Sequence, residues 1–281
     1  MNTNPSIALV TGASSGIGKA IAERLASAGF KVYGSSRRPL ERDRLGYEMI
    51  ALDVTRDESV DAAVSALVQR EGRIDLLVNN AGFGVAPAAA EESSLEQARA
   101  IFETNFFGVL RMTRAVLPYM RQAGSGRIVN IGSVLGLVPM PYAALYAATK
   151  HAIEGYSESL DHELRTRGIR VSVIEPAYTR TGFDANLMAP DATLDEYAEV
   201  RASLQHTLRR AMANADEPSV VADVVFEAAT AATPKLRYTA GRMAKRLHLL
   251  RRFAPARLLD AGIRKDLRLD VKARKVREGA L

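Results

Sequence analysis

Short apolar runs alternate with amphipathic stretches along most of the chain. Ile7-Ala8-Leu9-Val10 is apolar throughout, too short for a helix and bounded by turn residues, which predicts a buried strand. Over residues 19–28, Ile21, Ala22, Leu25 and Ala26 recur at helical spacing until Gly29 ends the run. The same reading predicts strands at 31–35, 49–54, 76–78, 127–131, 169–174 and 236–239. Helical spacing occupies 59–68, 95–120, part of 141–165, and 218–231. Strand and helix in alternation predict an α/β fold with a doubly wound parallel sheet.

The turn between the first strand and helix is Thr11-Gly12-Ala13-Ser14-Ser15-Gly16-Ile17-Gly18. Glycines let a backbone approach a pyrophosphate, and a helix N-terminus offers free N–H groups and a positive dipole end. Strand, glycine-rich turn and helix together make the phosphate-binding start of a Rossmann unit. The spacing is Gly-x3-Gly-x-Gly, not the Gly-x-Gly-x2-Gly of the common dinucleotide fingerprint. An acid that would meet a free ribose 2′-OH is missing about 20 residues on; Ser35-Ser36-Arg37-Arg38 stands there instead. A guanidinium suits a 2′-phosphate, so NADP(H) is the expected cofactor, with NAD(H) as the alternative.

Further polar residues fall at predicted strand ends, where the chemistry of open α/β sheets gathers. Asp53 comes late in the third strand, in a position suited to an adenine edge, and Asn79-Asn80-Ala81-Gly82 follows the fourth. Ser133 stands past the fifth, and Pro176 follows the sixth. Asn105 interrupts the apolar run Ile101-Phe102…Phe106-Phe107, so it is either a satisfied core amide or part of a proton path.

Tyr146 and Lys150 lie one helical turn apart, with Ser133 13 residues before the tyrosine. An ammonium beside a phenol favours the phenolate and lowers its pKa toward working pH. Ser133 could hydrogen-bond the oxygen of a carbonyl or alcohol held there. Alone, the Tyr-x3-Lys spacing arises by chance in roughly one such chain in three; the phosphate loop and strand-end residues give it context.

In these motifs the chain resembles the short-chain dehydrogenase/reductase family. They run from Thr11-Gly12-x3-Gly16-x-Gly18 through Asp53, Asn79-Asn80-Ala81-Gly82, Asn105, Ser133 and Tyr146-x3-Lys150 to Pro176 and Thr181. The resemblance covers about residues 6–182 and implies a Rossmann fold, a nicotinamide cofactor and an Asn–Ser–Tyr–Lys catalytic group. It makes Tyr146 the acid/base, with Lys150 holding the nicotinamide ribose and lowering the tyrosine pKa. Ser133 then positions the substrate oxygen, and Asn105 carries a water of the proton relay. Thr181 and the backbone after Pro176 would hold the carboxamide. The expected cofactor contacts are Gly12, Ser14, Ser15, Gly16, Ile17, Gly18, Arg37, Asp53, Val54, Asn80, Ala81, Gly82, Tyr146, Lys150, Pro176, Thr179 and Thr181. Pro176-Ala177 replaces the family's usual Pro-Gly. A homo-oligomer is the expected assembly.

Domain limits follow from the same reading. Residues 1–240 form the expected NAD(P)-binding domain, with a substrate lid over about 182–217, and 241–281 a basic amphipathic helical extension. The lid region holds Phe183, Leu187, Met188, Ala189, Pro190, Tyr197 and Leu204, and 134–140 beside Ser133 is also apolar. A small apolar carbonyl or alcohol is therefore the expected substrate, similar to those of the hydroxysteroid and retinol dehydrogenase-like branch.

The chain has no cysteine, which excludes disulfides, thiol nucleophiles and zinc–thiolate sites. Its four histidines lack metal-ligand spacing. The N-terminus lacks signal-peptide character and no apolar run reaches spanning length, so a cytoplasmic location is expected. The net charge of +6 belongs to the tail, where residues 235–281 carry 15 Lys/Arg against 4 Asp/Glu. Met243, Leu247, Leu250 and Phe253 recur at helical spacing among these charges. The expectation is that they pack over the substrate end of the domain, with membrane-surface or subunit contact as the alternative. Nucleic-acid binding is not expected, since no aromatics interleave along a basic groove. A non-catalytic NAD(P) sensor and a peripheral membrane protein are the competing functions.

Overall fold

Among the described residues, seven segments become strands: β1 (Ile7–Val10), β2 (Lys31–Ser36), β3 (Glu48–Ala51), β4 (Leu76–Asn79), β5 (Gly126–Ile131), β6 (Ile169–Pro176) and β7 (Arg237–Ala240). The computed structural model describes residues 5–38, 46–182, 187–267 and 269. Every strand pairs in parallel, in the order β3-β2-β1-β4-β5-β6-β7. The order reverses direction between β1 and β4, and a crevice opens there at the strands' carboxyl ends.

Nine α-helices among the described residues cover or extend this sheet. They are α1 (Gly16–Ser27), α2 (Asp57–Glu71), α3 (Leu95–Phe102), α4 (Gly108–Ala123), α5 (Ala144–Leu164), α6 (Ala198–Ala213), α7 (Pro218–Thr230), α8 (Arg242–Phe253) and α9 (Ala256–Asp266). Alternate strand residues serve opposite faces. Ala8, Val10 and Val78 meet Ile21 and Leu25 of α1 and Val221 and Val225 of α7. Leu9, Leu77 and Ile128 meet Val64 of α2, Met112 and Val116 of α4, and Leu160 of α5. With both faces covered, the strands read as continuous apolar runs.

One buried anion locks α5 to the sheet. Asp161 accepts from the Val171 N–H at 2.9 Å and from Arg170 Nε at 2.9 Å, with Arg165 as a further partner. Burial opposes its ionisation, but these hydrogen bonds prevail and hold the carboxyl at about 2.

Three sequence expectations change. The stretch at 95–120 is not one helix: a π-helical turn, Glu103–Phe107, joins α3 to α4 and contains Asn105. The third strand ends at Ala51, so Asp53 and Val54 lie in the turn beyond it. The apolar residues expected to pack onto the body mostly do not: of the four, Met243, Leu250 and Phe253 are exposed and Leu247 is half-buried, while Ala244 is the buried member of α8. Phe183 of the lid and the tail beyond residue 269 lie outside the described residues.

Candidate active site

The phosphate loop has the backbone its glycines predict. Gly12 and Gly16 take positive φ, 66° and 55°. A Cβ on Gly12 would lie 3.0 Å from Ala81 Cα, and one on Gly16 would lie 3.2 Å from the Thr181 side chain. Thr181 therefore sits over the start of α1. Ser15 is the N-cap of α1 but makes no side-chain capping hydrogen bond. First-turn N–H groups have no intrahelical acceptor, so those of Gly16, Ile17 and Gly18 are free for an anion. A pyrophosphate fits this cradle, with Ser14 half-buried and Ser15 exposed at its rim.

Thr11 and Asn80 brace the loop from below. The Thr11 hydroxyl oxygen accepts from the N–H groups of Asn80 and Ala81 at 2.9 and 3.0 Å. Asn80 Nδ2 donates to the carbonyls of Thr11 and Gly12 at 2.9 and 3.1 Å. Its amide thus holds the loop. Tyr47, which the sequence did not single out, donates to the Ala13 carbonyl at 2.7 Å. Burial pushes its phenol up to about 12, so it remains a neutral donor.

Arg37 follows the end of β2, and Asp53 and Val54 follow the end of the neighbouring β3. The Asp53 carboxylate accepts from the Thr55 N–H and hydroxyl at 3.0 and 2.8 Å. Burial raises this carboxyl, but the two hydrogen bonds outweigh it and hold the group below its ordinary value. Val54 is buried against Gly108. Arg37 is exposed just past the end of β2.

The catalytic candidates converge where β5 ends and α5 begins. Lys150 is buried, donates from Nζ to the Ile131 carbonyl at 2.8 Å, and stands 5.5 Å from the Tyr146 ring centre. Burial pushes the ammonium down to about 8, against the pull of Glu154. Ser133 follows two residues after Ile131, is 7% exposed, and its Oγ accepts from the Leu135 N–H at 3.1 Å.

Asn105 resolves into a satisfied amide. Its Nδ2 donates to the Phe83 carbonyl at 2.8 Å, and its Oδ1 accepts from the Phe83 N–H at 3.0 Å. Nδ2 also reaches Thr149 Oγ1 at 3.3 Å, and that hydroxyl donates to the Tyr146 carbonyl at 2.8 Å. Asn105 thus joins the loop after Gly82 to the helix carrying Tyr146. Gly82 is close-packed here: a Cβ would lie 3.0 Å from Asn105 Oδ1.

Pro176 ends β6, and Thr179 and Thr181 follow in the segment that returns over α1. Thr179 forms an isolated bridge with Asp216, which ties this segment to the start of α7. In the stretch expected to form the substrate lid, Met188 pairs with Val85, and Leu204 of α6 is fully buried. The buried Glu92 accepts from the Leu194 N–H at 2.8 Å and pairs with Arg201, anchoring the segment that leads into α6 to the loop after β4.

Behind the site lie Asn130, Ser157, Glu154, Glu175, Arg237 and His248, whose contacts with the motif residues and with one another the sequence did not show. Asn79 Nδ2 donates to Asn130 Oδ1 at 2.9 Å, and Asn130 Nδ2 donates to Ser157 Oγ at 2.9 Å, a polar rung across β4, β5 and α5. Glu154, one turn beyond Lys150, receives Arg237 Nε at 2.8 Å. Arg237 Nε also lies 3.7 Å from Glu175, whose other oxygen is 3.0 Å from His248 Nδ1 of α8. The signals were Glu154 at i+4 from Lys150 and an acid, Glu175, inside an apolar strand.

A doubly wound parallel sheet with a phosphate cradle at its switch point, and a Tyr–Lys pair beyond the next strand, defines a nicotinamide-dependent oxidoreductase. The short chain dehydrogenase family model matches residues 6–192, and the chain belongs to that family. A 3-ketodihydrosphingosine reductase from Bacteroides thetaiotaomicron is 43% identical over 198 residues, 69% of this chain and 72% of that protein. A short-chain dehydrogenase from Streptomyces avermitilis matches with a TM-score of 0.78 at 35% identity, covering 94% of this chain and 99% of the other. A short chain dehydrogenase from Burkholderia cenocepacia in complex with NADP has a TM-score of 0.73 at 27% identity, covering 94% and 99%. The protein is an NAD(P)-dependent short-chain dehydrogenase/reductase.

Proposed function

We propose that the enzyme interconverts a carbonyl and a secondary alcohol on an apolar substrate, with NADP(H) preferred and Tyr146 as the acid/base. The carrying observation is the buried Lys150 ammonium 5.5 Å from the Tyr146 ring centre, at the end of β5. A bound nicotinamide supplies or accepts the hydride at the substrate's carbonyl carbon.

The chain's own groups do the rest. In reduction, the Tyr146 hydroxyl donates its proton to the developing alkoxide, and the Lys150 charge stabilises the phenolate left behind. The Ser133 hydroxyl donates a second hydrogen bond to the same oxygen. Asn105 holds the Phe83 backbone and, through Thr149, the first turn of α5, so the Tyr146 backbone keeps its place. Gly12, Gly16, Ile17 and Gly18, with Ser14 and Ser15, cradle the pyrophosphate. Asp53 and Val54 would hold the adenosine of a bound cofactor, Ala81 and Gly82 would line its path, and Pro176, Thr179 and Thr181 would hold the carboxamide.

Arg37, with Ser35 and Ser36 in place of an acid, supports the NADP(H) preference. An apolar substrate is supported by Val134, Leu135, Leu137, Val138 and Met140 beside Ser133, and by the ketone named for the Bacteroides relative. The test is Tyr146→Phe assayed with NADPH and a panel of bulky apolar ketones. The expected result is a loss of turnover of about 10²-fold or more with NADPH affinity retained; a wild-type rate would refute the assignment.

A further inference from the structure

Apolar side chains large enough to matter are exposed at nine described positions, and five of them fall within 16 residues. Met243, Leu249, Leu250, Phe253 and Leu258 are 41–71% exposed, on α8 and the start of α9. Helix α8 buries only Ala244, and α9 buries none of its residues. Soluble chains rarely leave contiguous apolar surface uncovered without a use for it.

The charges around this surface have one sign. From Arg242 to Leu267 there are eight Lys/Arg and two acids, Asp260 and Asp266, a net charge of +6. Arg242, Lys245, Arg246, Arg251 and Arg252 form no salt bridge among the described residues. Arg242 and Arg246 line one shallow groove with Leu249, Leu250 and Phe253, so cationic heads flank an apolar floor.

We propose that α8 and α9 seat the enzyme on an anionic lipid bilayer, with the apolar floor in the headgroup boundary and the cations on the phosphates. An amphipathic helix with Lys/Arg on its polar face binds such a surface by apolar burial plus electrostatic attraction. Charge decides against the two other ready occupants. A second copy seated with the same surface face to face would bring net +6 against net +6. The remaining tail from 268 carries five Lys/Arg (268, 272, 274, 275 and 277) against two acids (270 and 278), so it repels the same surface.

The position fits an enzyme that works at a bilayer. His248 Nδ1 lies 3.0 Å from Glu175 Oε2, and α8 stands beside the 134–136 turn that follows Ser133. A bilayer seated on α8 would therefore adjoin the substrate side of the site. Lipid binding is independent of what the enzyme reduces, so the test reads binding and not turnover.

The full chain is sedimented with vesicles of phosphatidylcholine alone and with vesicles containing about one third phosphatidylglycerol. Binding is expected to the anionic vesicles only, and to fall as salt rises from about 0.1 to about 1 M, which shortens screening from about 10 to about 3 Å. Each basic side chain at the surface is worth about fivefold in affinity, so Arg242→Glu/Arg246→Glu should lower partitioning by at least about 25-fold. Phe253→Asp should lower it through the apolar side. Both variants should keep wild-type NADPH affinity, which shows that they fold. Equal binding to both vesicle types, or none to either, would overturn the proposal. So would self-association by analytical ultracentrifugation that Phe253→Asp abolishes, since the surface would then join copies of the chain.

Discussion

Lys150 Nζ donates to the Ile131 carbonyl at 2.8 Å, and this bond ties the catalytic helix to the end of β5. It aims the ammonium toward Tyr146 while burial brings its pKa from 10.5 to about 8. The charge is thus present at neutral pH and lost as pH rises through about 8. In the proposed mechanism, carbonyl reduction needs the protonated tyrosine and the charged lysine together. Its kcat/KM should therefore fall above about pH 8, since that ratio reports the free enzyme. Lys150→Arg should move the fall to higher pH at a lower plateau, because a guanidinium keeps its proton. Lys150→Met should lose about 10²-fold or more across the profile. A pH–rate series on the three proteins checks this.

Gly18 tests the phosphate loop. A Cβ there would stand 2.2 Å from the Gly12 carbonyl oxygen and 2.4 Å from Asn80 Nδ2. The first of these is backbone and cannot swing aside. Gly18→Ala should push the loop apart, costing about 1–3 kcal/mol of stability and weakening NADPH binding by about tenfold or more. Gly29→Ala is the contrast: φ is 89° but nothing lies within 4 Å of the new Cβ. It should cost about 1–2 kcal/mol through strain alone and leave cofactor affinity unchanged. Thermal melts and NADPH fluorescence titrations separate the two outcomes.

The proposed NADP(H) preference rests on Arg37. It is exposed at the end of β2, where an acid would otherwise meet a 2′-OH. A charge-assisted hydrogen bond to a phosphate is worth about 1.5–3 kcal/mol. Arg37→Ala should therefore shrink the NADPH-over-NADH ratio of kcat/KM by about 10- to 100-fold, mostly through KM for NADPH. An unchanged ratio would remove Arg37 from the 2′-phosphate site.

The sequence displayed the parts of the site that depend on local rules. Gly12 and Gly16 announce positive φ, short apolar runs announce buried parallel strands, and Tyr146 and Lys150 meet because α5 places them one turn apart. Groups defined by contact across the sheet were not legible. The Asn79–Asn130–Ser157 rung joins residues 51 and 27 positions apart, and the registry of β4 with β5 and the packing of α5 on the sheet bring them together. Asn105 showed as a polar break in an apolar run, but its π-helical turn could not be read from spacing. The C-terminal helices had the right period, yet amphipathic spacing does not say whether the apolar side meets protein. Here tertiary packing left it exposed.

Glu154 links stability to pH. It is 5% exposed, one turn past Lys150, with Arg237 at 2.8 Å and a second buried acid, Glu175, on the strand beside it. Burial, aided by the Glu175 charge, raises its pKa from 4.5 to about 7 against the pull of Arg237. Between about 4.5 and 7 the folded state holds the proton more tightly than the unfolded state. Stability from this group is therefore greatest below 4.5, falls as pH rises through the window, and is fully lost above about 7. Glu154→Gln removes that slope while leaving Arg237 paired with Glu158 at 2.9 Å. The variant should gain stability relative to wild type on going from pH 4.5 to pH 8, by on the order of 3 kcal/mol. Urea unfolding at both pH values measures the difference. Parallel pH dependence in the two proteins would mean that Arg237 keeps Glu154 ionised throughout.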